Sequence, residues 1–312
     1  MFALKNCVIT GGAGFIASHL AEKIGERFDR VYLLDNLSRT NNLRNIQHLL
    51  TNPKFEFIHG DVSCFDLETL KDVSHLFHLA GPRINRMIKY KREGHVYIAD
   101  GGFNVVDFCA RNRIKMFFAS TASVYASPKR FPISEDDPVV PNTLYGASKY
   151  YTENVIRSYD RMMDFNYTIN RFFNVYGPRM DNTGAYTEIL FNWLNNIKTK
   201  KNEVTIFGDP KTKTLDLIYV ADIVNAIVKS TFESNKETFN VSTEVGTTLE
   251  ELANTIKKVT NTDLMVKVLP ETRLDIENKR IGDATKLRGL GWKSQYSLEE
   301  GVRKTFEWVM KE

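Results

Sequence analysis

Up to about residue 172 the chain alternates short apolar runs with longer amphipathic stretches. Cys7-Val8-Ile9-Thr10, Val31-Tyr32-Leu33-Leu34, Phe55-Glu56-Phe57-Ile58-His59, Leu76-Phe77-His78-Leu79, Met116-Phe117-Phe118-Ala119 and Tyr167-Thr168-Ile169-Asn170-Arg171-Phe172 read as strands. Most are apolar at nearly every position, as strands covered on both faces are. Helical spacing falls between them, notably around Gly101 to Arg113 and from Tyr145 to about Arg161. This alternation predicts an α/β fold with a doubly wound parallel sheet. The Gly177-Pro178 break places a domain change near residue 174. Residues 1–174 then form the larger domain. Residues 213–235 return to it, with Leu215 to Val220 as a strand and Asp222 to about Phe232 as a helix. Residues 175–212 and 236–312 form a smaller mixed α/β lobe, with helices near 187–198, Leu249 and Leu298 and short strands near Phe239 and Val266.

Composition narrows the class. The hydrophobic share of 42% in 312 residues is that of an ordinary globular protein able to bury a large core. A net charge of +4, from 42 basic and 38 acidic residues without a single-sign tail, gives no reason to expect a nucleic-acid partner and suits an anionic small substrate. Cys7, Cys64 and Cys109 show no metal-ligand spacing and read as reduced thiols of a cytoplasmic protein, with no metal site expected. The chain starts without a charged leader or an apolar span of about 18 residues, so no membrane association is expected.

The first apolar run ends in Gly11-Gly12-Ala13-Gly14-Phe15-Ile16-Ala17. Gly11 and Gly14 permit a tight turn and close backbone approach to a pyrophosphate, which the following helix N-terminus would face with its amides. The second run ends in Asp35, about 20 residues on, where a carboxylate accepts hydrogen bonds from an adenosine ribose and repels a 2′-phosphate. That favours NAD over NADP, with Arg39 the neighbour able to soften the preference. The larger domain is therefore expected to be a Rossmann-type dinucleotide-binding domain. Asp61, after the third run, is placed to meet an adenine amino group and serves equally well as a turn or cap residue. Ala80-Gly81 after the fourth run lets backbone approach a cofactor. The basic segment from Arg83 to Arg92 suits an electropositive rim or a solvated helix face.

Ser120 and Thr121 stand at the carboxyl end of the fifth run, the edge where ligands bind in open parallel sheets. Tyr145 and Lys149, four apart, share a helix face. A free phenol has a pKa near 10, and a neighbouring ammonium favours its ionised form, which makes the pair a proton-transfer device near neutral pH.

Taken in order, Thr10 to Ile16, Asp35, Asp61, Thr121, Tyr145/Lys149 and Asn174-Val175-Tyr176-Gly177-Pro178-Arg179 resemble the extended short-chain dehydrogenase/reductase family, and within it the nucleoside-diphosphate-sugar 4-epimerases of the UDP-galactose and UDP-glucuronate type. The resemblance implies Tyr145 as acid/base on the sugar 4-hydroxyl, Lys149 on the nicotinamide ribose, and Thr121 hydrogen-bonded to the same 4-oxygen. It implies an NAD cleft formed by Gly11, Gly14, Phe15, Ile16, Asp35, Asn36, Asp61, Val62, Leu79, Ala80, Tyr145 and Lys149. Substrate contacts would come from Arg83, Ser123, Asn174, Arg179, Phe207 and Arg280, with Phe207 in the nucleobase segment 204–209. Relatives commonly form homodimers through two sheet-flanking helices, here near Asn104 to Arg111 and Lys149 to Arg161.

The resemblance also bears on reaction type. The related dehydratases usually carry Asp-Glu, and the decarboxylases a Glu, at positions held here by Ala122 and Ser123, which cannot serve as that acid/base. Epimerisation at C4 needs no such group. A 4-ketoreductase, a dehydratase or a decarboxylase is the alternative within the family, and a dinucleotide sensor without catalysis the alternative outside it. Leu215 stands where many relatives have a phosphate-gripping Arg, a loss for which Arg83, Arg179 or Arg280 would compensate.

Overall fold

The structure, a computed structural model, describes residues 4–39, 42–82, 84–125, 128, 130–180, 189–271 and 279–312. The strands are β1 (Asn6–Thr10), β2 (Val31–Asp35), β3 (Phe55–His59), β4 (Val73–His78), β5 (Lys115–Thr121), β6 (Tyr167–Phe172), β7 (Asn174–Tyr176), β8 (Glu203–Phe207), β9 (Thr214–Tyr219), β10 (Glu237–Val241), β11 (Gly246–Thr248), β12 (Met265–Leu269) and β13 (Lys279–Arg280). The helices are α1 (Phe15–Ile24), α2 (Ile84–Lys89), α3 (Lys91–Arg111), α4 (Leu144–Met163), α5 (Ile189–Lys198), α6 (Val220–Glu233), α7 (Leu249–Thr260), α8 (Thr285–Arg288) and α9 (Leu298–Lys311).

Seven strands form one sheet in the order β10-β6-β5-β4-β1-β2-β3, every pair parallel. Alternate residues of each strand feed opposite layers, as the pleat requires. Cys7, Ile9, Leu33, Phe77 and Phe117 pack with Leu20 and Ile24 of α1 and Ile223 and Ile227 of α6. Val8, Leu34, Leu76, Met116 and Phe118 pack with Val105 and Phe108 of α3 and Ile156 of α4. This is the doubly wound arrangement the apolar runs predict. The order reverses between β1 and β4, so their connections leave in opposite directions and a crevice opens at their carboxyl ends.

Helix α3 begins ten residues before the stretch from Gly101 that its spacing suggests. Gly94, Gly101 and Gly102 weaken a helical reading, yet at Gly102 a Cβ would lie 2.6 Å from Thr152 Oγ1 of α4. The glycine is what lets the two helices meet this closely.

The second correction concerns the strand that rejoins the main sheet. Strand β9, read above as that strand, lies in a separate sheet of order β11-β9-β13, with β7 also paired to β9. Helix α6 follows β9 directly and does pack on the main sheet. It is the crossover that a parallel partner needs, and it delivers β10, expected from the sequence in the small lobe, beside β6. A further core, including Trp193, Leu194, Val204, Ile206, Leu252, Ile256 and Val302, underlies the small sheets. Strands β8 and β12 form a two-stranded parallel pair beside it. Cys7 and Cys109 are buried and Cys64 exposed, all as free thiols. Among the described residues no helix is long and apolar enough to cross a membrane, and no cluster of metal-ligating side chains occurs.

Asp216 of β9 joins the two sheets. Fully buried, it accepts hydrogen bonds from Ser242 Oγ, Thr243 N at 2.9 Å and Oγ1 at 2.7 Å, Glu244 N at 3.2 Å and Gly282 N at 3.3 Å. It thus holds the segment leaving β10 and the one leaving β13. Burial pushes its carboxyl upward, against the lowering effect of these bonds. Asp216→Ala strands five donors, at a cost of about 3 kcal/mol. The expected result is a melting temperature lower by about 5 °C, measured by calorimetry; an unchanged value removes Asp216 from this role.

Candidate active site

Strand β1 turns at its carboxyl end into α1 through Gly11, whose φ is +68°. A Cβ on Gly11 would lie 3.0 Å from the Ala80 backbone, and one on Gly14 would lie 2.8 Å from Gly11 O. Gly14 caps α1, and no acidic residue occupies the first turn, so the free amides there present unopposed positive charge to the crevice. Such a cradle fits a diphosphate. Its walls are fixed by neighbours. Ala80 N donates to Thr10 Oγ1 at 3.2 Å, and Thr10 Oγ1 lies 2.7 Å from His78 Nδ1. Asn45 Nδ2 donates to Ala13 O at 3.0 Å.

Asp35 ends β2. Its carboxylate accepts from Ala13 N at 3.1 Å and Leu37 N at 2.8 Å, which fixes it beside the glycine turn. Burial raises its pKa, while those amides and Arg39 pull it back. Asp61 accepts from Asn36 Nδ2 at 2.9 Å and from Ser63 N and Oγ at 3.0 and 2.7 Å. Burial works to raise its pKa, but these bonds prevail and leave it below the usual carboxylate range.

One cleft gathers every residue assigned above to the cofactor. Gly11, Gly14, Phe15 and Ile16 line it, as do Asp35, Asn36, Asp61 and Val62. Leu79 and Ala80 continue the lining to Tyr145 and Lys149. Helix α4 carries the last two. Thr143 caps it, accepting from Gly146 N at 3.1 Å, and this sets Tyr145 in the first turn. Lys149 is 4% exposed; its Nζ donates to Ala119 O at 2.9 Å and lies 4.9 Å from the centroid of the Phe118 ring. Burial pushes Lys149 down to about 8, with the charge of Glu153 acting in the opposite sense.

The remaining candidates lie around this cleft. Thr121, immediately after the cleft-lining Ser120, accepts from Ser123 N at 3.1 Å. Ser123 Oγ accepts from Arg280 Nη1 at 3.2 Å, which brings together two residues distant in the chain. Asn174 Nδ2 donates to Asp216 O at 3.1 Å. Phe207, at the end of β8, has an exposed ring. Arg179 is turned onto α1: Nη2 donates to Glu22 Oε1 at 2.6 Å and Nη1 to Ser18 Oγ at 3.4 Å. Arg83 lies outside the described residues.

Ser38, Asn42, Pro82, Tyr97, Ser120 and Phe172 also line the cleft, and none is assigned a site role from the sequence. Phe172 ends β6, a position that could have signalled it, and Ser120 is next to last in β5, at the edge named above for ligands. Tyr97 comes from the middle of α3 and carries no local signature.

A description of the NAD dependent epimerase/dehydratase family fits residues 7–242 of this chain. The chain is 33% identical to a putative UDP-glucose 4-epimerase of Methanocaldococcus jannaschii over 97% of both proteins. It is 31% identical to UDP-glucuronic acid decarboxylase 1 of Arabidopsis thaliana over 95% of this chain and 67% of that one. The solved UDP-N-acetylglucosamine 4-epimerase of Methanobrevibacter ruminantium, in complex with UDP-N-acetylmuramic acid, is similar with a TM-score of 0.91 at 28% identity, over 99% of both chains. The UDP-glucose 4-epimerase of Thermotoga maritima, with UDP-glucose, gives a TM-score of 0.88 at 30% identity over 98% of this chain and 99% of that one. The family match over most of the chain and the likeness to the Methanocaldococcus protein show that the chain belongs to the NAD-dependent epimerase/dehydratase family, within the extended short-chain dehydrogenases/reductases.

Proposed function

We propose that this protein interconverts the C4 epimers of a nucleoside-diphosphate sugar, a UDP-hexose or UDP-uronate, through a transient 4-keto sugar. The observation that carries the reading is that Tyr145 and Lys149 open into the same cleft as the glycine turn and Asp35. Gly11, Gly14, Phe15 and Ile16 would hold the pyrophosphate of NAD, Asp35 and Asn36 its adenosine ribose, and Asp61 and Val62 its adenine. Leu79, Ala80 and Lys149 would flank the nicotinamide half. When bound, NAD supplies a two-electron acceptor that returns its hydride to the same carbon.

Tyr145 takes the proton of the 4-hydroxyl and gives it back on the epimer, a general acid/base role. The Lys149 ammonium, fixed on Ala119 O, favours the oxygen anion that forms as the proton leaves. Thr121 steadies the 4-oxygen. Ser123 and Arg280, already joined, together with Asn174 and Phe207, form the substrate side. Arg83 and Arg179 complete the assignment, although Arg179 would first have to leave Glu22.

The Arabidopsis relative supports decarboxylation of a UDP-uronate as a second reading. Against it, Ala122 and Ser123 offer no carboxylate, and half-buried Glu135 and buried Glu153 and Asp216 are each engaged by hydrogen bonds. We also infer a homodimer through α3 and α4, whose surfaces leave Phe103, Tyr151 and Met163 exposed.

Incubation with a panel of UDP-sugars, resolved by chromatography, should yield a C4 epimer of at least one, without consumption of added cofactor. A pentose product from UDP-glucuronate would establish decarboxylation instead, and net oxidation of reduced cofactor a ketoreductase. Tyr145→Phe should lower kcat by about 10²-fold with NAD still bound; a change under about three-fold removes Tyr145 from the role. Light scattering should report twice the chain mass, falling to one chain mass in Phe103→Glu/Tyr151→Glu.

A further inference from the structure

Glu153 is an entirely buried carboxylate to which the proposed reaction gives no task. It follows Lys149 by four residues in α4, so the two side chains share a helix face. Its Oε1 accepts from Ser120 Oγ at 2.6 Å and Arg171 Nε at 3.0 Å. Its Oε2 accepts from Arg171 Nη2 at 2.7 Å and Arg157 Nη2 at 2.9 Å. Burial acts to raise its pKa, but the bonds and charges of Arg171 and Arg157 outweigh it and hold Glu153 below the usual carboxylate range. The carboxylate is therefore ionised at neutral pH. Arg171 extends the network, its Nη1 donating to Tyr125 Oη at 2.7 Å, and that hydroxyl donating to Asn240 Oδ1 at 2.9 Å.

An apolar side chain at this depth would avoid the loss of ion solvation, so a buried ion cluster is a poor device for stability alone. Its neighbours give it another use. Both Ser120 and Lys149 line the cleft. Near Lys149 stand Tyr145, one turn before it on the same helix, and His78 at the end of β4; Ser148, its neighbour in the chain, is linked to His95 of α3. Behind Glu153 stand Arg171 of β6, Arg157 of α4 and Tyr125. His78 is pushed down to about 3 by burial and the charge of Lys149, and so is neutral. Among these groups, the carboxylate of Glu153 is the charge that opposes the effect of burial on Lys149.

We propose that Glu153 is a positioning residue for the proton-transfer pair: clamped by Arg171 and Arg157, its carboxylate keeps the buried Lys149 protonated and turns the hydroxyl of Ser120 away from the cleft. The inference rests on the Tyr145/Lys149 reading above, but its test does not require turnover. The sign of the effect separates positioning from mere support. Removing the negative charge leaves Lys149 among cations and lowers its titration midpoint, whereas a loosened fold admits water and raises it.

The experiment follows the Cε signal of Lys149 by NMR in the full chain with saturating NAD, labelled with 13C-lysine and assigned through Lys149→Arg. Glu153→Gln, equal in size and uncharged, should lower the midpoint by about one pH unit or more. Glu153→Asp, which keeps the charge, should recover at least half of that shift. If Glu153→Gln fails to fold, Arg157→Gln, at a partly exposed position, leaves the carboxylate less neutralised. It should raise the midpoint by a few tenths of a unit at an unchanged melting temperature. An unmoved or raised midpoint in Glu153→Gln overturns the proposal, as does an unmoved one in Arg157→Gln when only that variant folds. A lowered midpoint in a protein that epimerises no UDP-sugar preserves this inference and removes the reaction assigned above.

Discussion

A charge taken into a protein interior must find partners at once, and that requirement fixes α4. Lys149 donates to the carbonyl of Ala119, near the end of β5. One turn further on, Glu153 reaches Ser120, also of β5, and Arg171 of β6. Two successive ionic side chains thus register the helix against two adjacent strand ends. A slide by one residue would leave both charges buried and unpaired, which water-excluded surroundings make costly. Tyr145, one turn before Lys149, is set into the cleft by the same registration.

The sheet supplies the other half of the site by topology rather than by charge. Reversal of strand order between β1 and β4 leaves a crevice at their carboxyl ends, and the positive φ of Gly11 lets the chain pass beneath Ala80 and enter α1. Close approach at Gly102 brings α3 against α4. It is by this packing that α3 delivers Tyr97 to the cleft.

The smaller sheet is attached through a buried polar hub. Asp216 binds backbone leaving β10, in the large sheet, and β13, in the small one. β13 carries Arg280 to Ser123, next to the end of β5. The side of the site assigned to substrate therefore draws on more than one sheet, whereas the side assigned to the cofactor gathers around the main one.

The sequence by itself determined six of the seven strands of the main sheet, the glycine turn, and the carboxylates at Asp35 and Asp61, because each depends on periodicity, local turn chemistry or the end of a strand. The spacing of Tyr145 and Lys149 likewise places them on one helix face without reference to the rest of the chain. Only tertiary structure decided that β10 rather than β9 closes the sheet, since two short apolar runs offer the same local pattern and the crossover of α6 chooses between them. It also turned Arg179 onto Glu22 and brought Ser123 to Arg280, partners 157 residues apart in the chain. Burial made Glu153 an interior ion, bonded to strand residues that lie far from it in the chain. Contacts of this kind depend on which faces meet when the layers close, and no window of neighbouring residues records that.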